Sequence, residues 1–204
     1  MAEEGATFYY RSKQALDFKK AYTFLAKSGL YIKHPDIQIV SGIHNGDDFE
    51  ESDVEKIEEM FNTNSMGIHL RLENKDRIFW SFVELNNVFS HNIGCWFDEY
   101  HEKVVSEASI QLALSEINTN EEFLGFTVDI FGATEEYRFE TIFEPDNSEI
   151  FTDRYFPDLT FLPKDKFSKI SLNDECEIIQ LNQKFDCIAK NKELSNYLKS
   201  LLQS

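Results

Sequence analysis

The spacing of apolar residues sorts most of the chain into helical and extended stretches. Phe18, Ala21, Tyr22 and Leu25 recur at the three- and four-residue intervals of one helical face, with Lys19, Lys20 and Lys27 opposite and Gly29 as a stop, so residues 15–27 predict an amphipathic helix. A short extended stretch, Ile37-Gln38-Ile39-Val40, leads to the turn signal Asn45-Gly46. Ser52 and Glu55 read as a capping box for a helix whose apolar face is Val54, Ile57 and Phe61. Ile68, Leu70 and Leu72 alternate with His69, Arg71 and Glu73, and Ile78, Trp80 and Phe82 alternate with Phe79, Ser81 and Val83. With Asn74-Lys75-Asp76 between them, these two runs predict a hairpin. Its second strand is apolar on both faces, which places it in the interior of a sheet.

A loop is expected around His91-Asn92-Ile93-Gly94, followed by a helix over residues 102–116 with Val104, Val105, Ala108 and Leu112 on one side. Leu124, Phe126, Val128 and Ile130 then alternate, Gly132-Ala133-Thr134 turns, and Tyr137, Phe139, Thr141 and Phe143 return as a second hairpin. Its other face, with Asp129, Glu136, Arg138 and Glu140, reads as wet. Pro145, Pro157 and Pro163 mark residues 145–173 as an irregular, partly extended connection. Residues 175–189 fit a helix through Ile178, Phe185 and Ile188, while Glu177-Ile178-Ile179-Gln180-Leu181 fits a strand equally well. Leu194, Tyr197, Leu198, Leu201 and Leu202 give a C-terminal amphipathic helix. The expected architecture is a single α+β domain spanning residues 1–204, a mostly antiparallel sheet built from two hairpins with helices packed on one face.

Composition supports a folded chain: 204 residues, 42% of them apolar, with 19 Phe, can bury a core without crosslinks or metals. Cys95, Cys176 and Cys187 lack C-x-x-C spacing, so neither a disulfide framework nor a zinc knuckle is indicated. The N-terminus has no basic segment followed by an apolar one, and no apolar run approaches membrane-spanning length, so a soluble, cytoplasmic protein is expected.

Charge changes the picture most. The formal net charge is -17, yet it is concentrated. Residues 46–59 hold eight carboxylates against Lys56 alone, residues 84–163 hold seventeen against Lys103, Arg138 and Arg154, and the rest of the chain is mildly basic. Charge of this sign disfavours direct binding to nucleic acid or to anionic membrane, whose phosphates need Lys or Arg, and favours a basic protein partner. Aromatics interleaved with the acids would supply anchors. The candidate partner-binding residues are therefore Asp47, Asp48, Glu50, Glu51, Asp53, Glu55, Glu58, Glu59, Trp96, Asp98, Glu99 and Tyr100.

Catalytic motifs are sparse. His91, Cys95, Asp98, Glu99, His101 and Glu102 crowd ligand-capable groups into one segment, but their spacing matches no metal signature. Asp129 and Glu140 are a conceivable carboxylate pair. G-x-S-x-G, a phosphate-binding loop and an EF-hand are absent. No cofactor is implied. The function expected is a non-enzymatic acidic binding protein that inhibits or neutralises a basic partner, such as a toxin or a nucleic-acid-binding enzyme. In general style it is similar to bacterial immunity proteins, which block the active site of a cognate toxin, or to a nucleic-acid mimic, although no motif carries that likeness. The alternatives are a metal-assisted hydrolase using the His91–Glu102 cluster and an adaptor or chaperone-like protein that docks a partner on an aromatic sheet face.

Overall fold

The computed structural model describes residues 5–61, 66–71, 77–85, 88–96, 99–129, 157–167, 172 and 174–203. Among these residues ten strands join one sheet: β1 Gly5–Ser12, β2 Val40–His44, β3 Asp47–Glu51, β4 Met66–Arg71, β5 Arg77–Leu85, β6 Val88–Trp96, β7 Phe123–Asp129, β8 Leu159–Pro163, β9 Glu177–Gln180 and β10 Phe185–Ala189. Their order across the sheet is β3-β2-β4-β5-β6-β1-β7-β8-β10-β9, and every pairing is antiparallel. The helices are α1 Phe18–Lys27, α2 Val54–Phe61, α3 Glu99–Thr119, the short α4 Lys164–Phe167 and the C-terminal α5 Lys192–Leu201. The fold is α+β with a mainly antiparallel sheet, as the sequence pattern implies. No helix of the described residues is long and apolar enough to cross a membrane.

Strand alternation builds the core. The β4–β5 register sets Met66 opposite Phe82, Ile68 opposite Trp80 and Leu70 opposite Ile78, and β6 adds Ile93 opposite Trp80. All of these are buried. The Trp80 ring lies 6.0 Å from that of Phe18 on α1 and 5.9 Å from that of Phe61 on α2, so both helices bear on this face of β5. Removing a ring from such a cluster costs about 3–5 kcal/mol. Helix α3 is buried on several sides, through Val105, Ala108, Ile110, Leu112, Ala113 and Ile117 and also through Ser106, Ser109 and Glu116. It touches α1, β1, β6 and β7, which explains why a one-sided pattern describes it poorly.

The antiparallel pairing of β4 with β5 and the interior place of β5 agree with the sequence reading, as do α1, α2, α3 and the C-terminal helix, while residues 72–76 between the two strands lie outside the described residues. Gly29 ends α1 at φ 86°, and Asn45-Gly46, at φ 53° and 90°, closes the two-residue β2–β3 turn that the twist of a hairpin favours. Other expectations need correction. Ile37 and Gln38 are not extended: the His34 N–H donates to the Ile39 carbonyl at 2.9 Å, Gln38 sits at φ 57°, and the strand begins at Val40. His91-Asn92-Ile93-Gly94 is the middle of β6 rather than a loop. Residues 159–163 form β8, and 177–189 form the β9–β10 hairpin, so the strand alternative is the correct one there. Strand β7 pairs with β1 on one side and β8 on the other. Residues 137–143, its expected hairpin partner, lie outside the described residues. Its second face is not wet where it is described, since Asp129 and Thr127 are buried together with Thr160, Leu162 and Ile188.

Gly42 permits the β2–β4 contact. A Cβ there would run into the carbonyl oxygen of Gly67 and reach within 2.8 Å of the Phe49 ring. We expect Gly42→Ala to destabilise the fold by about 1–3 kcal/mol through overpacking against backbone. Chemical denaturation checks this, and an unchanged midpoint would show that β2 and β4 can separate without loss.

Candidate interaction surface

The first acidic block is split between strand and helix. Asp47–Glu51 form β3, the terminal strand of the sheet, directly after the Asn45-Gly46 turn. Asp47, Asp48 and Glu50 are exposed, while Phe49, opposite Gly42, packs on the core. Carboxylates on a terminal strand discourage wrong pairing of its open edge. In a two-residue hairpin the closing pair His44–Asp47 faces inward, so the backbone groups of Asp48 and Glu50 face the open side.

Other members of the block are occupied by the start of α2. Asp53, not Ser52, is the capping residue: its carboxylate accepts from the Glu55 N–H at 3.0 Å. Glu51 accepts from the N–H groups of Ser52 and Asp53 at 2.9 Å each and pairs with Lys56 at 3.3 Å. These bonds hold both acids below their ordinary range: Glu51 chiefly through the Asp53 N–H and then Lys56, Asp53 chiefly through hydrogen bonding with the Glu55 side chain and then its N–H. Glu58 pairs with Lys19 of α1 at 3.0 Å, while Glu55 and Glu59 are exposed.

Where it is described, the second block does not assemble beside the first. Trp96 is the last residue of β6, four strands from β3, a separation of about 19 Å at ~4.8 Å per strand. Glu99 and Tyr100 open α3, and Asp98 lies outside the described residues. Glu116, at the far end of the 21-residue α3, is buried and bound to Lys20 at 2.7 Å and to Asn120 at 3.2 Å. Asp158 is buried against Lys190 at 3.6 Å. These two acids thus serve internal ion pairs, and the described part of the block is no single surface. Glu140 lies outside the described residues, so its pairing with the buried Asp129 is undescribed.

His91, the first residue of the cluster on which the alternative metal-assisted reading rests, points into the core. Its ring is 5.8 Å from Phe82, 5.9 Å from Phe61 and 6.3 Å from Trp80. Burial pushes its pKa down to about 3, so it is neutral at physiological pH. Cys95, Glu99, His101 and Glu102 lie on β6 and α3.

The sequence reading missed a polar group on the opposite face of β2 and β4. Ser41 Oγ lies 3.2 Å from His69 Nδ1, and Arg71 Nη2 donates to Ser41 Oγ at 3.2 Å. Arg71 is only 7% exposed, and its backbone is tied to Tyr31 by hydrogen bonds of 2.7 and 2.8 Å. Glu50 is directly opposite Ser41 on β3. Phe79, half-buried, is opposite His69, with ring centroids 5.5 Å apart, and exposed Ile43 shares the Ser41 face. Alternation in the sequence already put His69 and Arg71 on one face. Their meeting with Ser41 required β2 and β4 to pair across the intervening β3 and α2, which no local pattern reveals. No protein-family model, curated protein or solved structure matches this chain.

Two measurements test this geometry. His91 should cost stability on the acid side: between its ordinary pKa of 6.5 and about 3 the unfolded chain binds a proton that the folded chain refuses, so stability falls as pH drops through that window. Replacing it, His91→Phe, should flatten that part of the stability profile, and an equal slope in both proteins would contradict burial of a neutral imidazole. Asp53→Ala should fray the first turn of α2, read as loss of amide protection at Glu55. In the parent the same fraying should set in as pH falls below the ordinary values of 4.5 for Glu51 and 3.8 for Asp53 and be complete once pH passes below their lowered values, because the lowered pKa values contribute stability that is full above the ordinary values and is lost through that window.

Proposed function

We propose that the protein binds a basic protein partner through β3 and the exposed side of α2, in the manner of an inhibitor that covers a cationic surface. The observation that carries this reading is the division of labour within one acidic block. Glu51 and Asp53 are engaged by the start of α2, whereas Asp47, Asp48 and Glu50 are displayed on a terminal strand whose outer edge has no neighbour among the described strands. Those side chains bring opposite charge toward a basic partner and accelerate encounter. The backbone of Asp48 and Glu50 gives an extended basic segment hydrogen-bonding groups to pair with, as in strand addition. A toxin or a nucleic-acid-binding enzyme has the required charge, and a cytoplasmic setting suits either. The binding surface is β3 with Glu55 and Glu59 of α2, smaller than the sum of both blocks.

The test separates this surface from net charge. One variant carries Asp47→Lys, Asp48→Lys and Glu50→Lys, and a control carries Glu121→Lys, Glu122→Lys and Glu193→Lys, all exposed in the parent. Capture from the producing cell at low ionic strength should retain a basic protein on the parent and the control, release it as salt rises, and lose it at least tenfold on the first variant. Equal loss in both variants would reduce the effect to overall charge, and retention by the first would remove β3 from the interface.

A further inference from the structure

The Ser41–His69–Arg71 group goes beyond the binding reading and does not depend on it. We propose that Ser41 is a nucleophile with His69 as its general base, able to accept an acyl group from a small neutral or cationic ester. Three features lead there. The hydroxyl and the imidazole are within hydrogen-bond distance, at 3.2 Å from Ser41 Oγ to His69 Nδ1, the first requirement for base-assisted attack. Arg71, which can only donate, occupies a lone pair of Oγ from the interior side of the sheet and stabilises negative charge as it develops on that oxygen or on an attacked carbonyl beside it. Both reacting side chains are half-buried on a sheet face, so they are reachable as well as positioned.

The surroundings set the substrate class. Phe79 leans over Gly67, where a Cβ would strike its ring, and Ile43 is opposite Gly67 on β2, so an apolar shelf borders the pair and suits a short acyl chain. Glu50, opposite Ser41, and Asp48 on the same strand disfavour a carboxylate-bearing substrate. In the reaction Ser41 Oγ bonds to the ester carbonyl carbon while its proton passes to His69 Nδ1. The carbon–oxygen bond to the leaving alcohol then breaks, and the alcohol takes that proton. Water hydrolyses the acyl-serine by the same route, with His69 taking its proton and returning it to Ser41.

The purified full chain tests this with an alkyl fluorophosphonate and with p-nitrophenyl acetate. The expected result is one phosphonyl adduct per chain, mapped by mass spectrometry to Ser41, and p-nitrophenol release that rises with pH as a histidine loses its proton. Ser41→Ala should abolish both, and His69→Gln should slow both by about 100-fold or more. Nitrogen-15 NMR of the parent should find His69 protonated on Nε2 and accepting at Nδ1. A proton on Nδ1, labelling elsewhere than Ser41, or a labelling rate unchanged in a folded His69→Gln protein would overturn the proposal. Circular dichroism of both variants separates lost chemistry from lost fold, and partner capture by Ser41→Ala separates this result from the binding reading.

Discussion

The contact of Trp80 with Phe18 and Phe61 joins the helical layer to the sheet, and much of the molecule is arranged around keeping it dry. Trp80 lies on an interior strand and has no exposed surface, with Phe18 and Phe61 arriving from helices on either side of the β2–β3 hairpin in sequence. The Phe61 ring also meets Phe82 at 3.9 Å and His91 at 5.9 Å. Aromatic pairs of this kind add about 0.5–1.5 kcal/mol each beyond the area they bury. Because Phe61 ends α2, that helix is anchored at its C-terminal end by the core and at its N-terminal end by Asp53 and Glu51. The acidic block is thereby divided, with its helix-capping members spent on structure and its strand members left to solvent.

The same arrangement determines what His91 can do. A histidine among Trp80, Phe61 and Phe82 fills space as a neutral ring, and its low pKa follows from the loss of water around it. On the opposite face of the sheet the conditions differ by strand. Around β7, β8 and β10 both faces are buried, whereas at β2, β4 and β5 the second face carries Ser41, His69, Phe79 and exposed Ile43. Chemistry needs reach, and that accessible patch has it where the core does not. Its nearness to β3 puts an acidic edge and a polar group within two strands of each other.

Much of the fold was legible because apolar periodicity reports which faces are buried. Phe18, Ala21 and Leu25 marked α1, Ile68, Leu70, Ile78 and Trp80 marked two adjacent strands, and Leu194 and Leu198 marked the last helix. The reading failed where one residue has two plausible environments. The polar run from His91 to Gly94 looked like a loop because a buried histidine and a strand glycine carry no apolar signal, and Pro163 disguised β8 although proline is tolerated at a strand end. Asp53 displaced Ser52 as the cap because either side chain can accept an N–H, and only the backbone path of the β3–α2 connection chose between them.

What the sequence determined by itself was composition-driven: an α+β chain with an aromatic core, acidic stretches confined to two regions, and a central strand around Trp80. These depend on neighbours within a few residues, whose geometry is set by 3.6- and 2-residue periods. What only the tertiary structure decided depends on pairings between distant segments. The pairing of β2 with β4 brought Ser41 to His69 and Arg71, the order of strands left β3 at an edge, and the packing of α1 on α3 turned Glu116 inward to Lys20. Strand order and register arise from burial shared across the whole sheet, so no window of the sequence contains them.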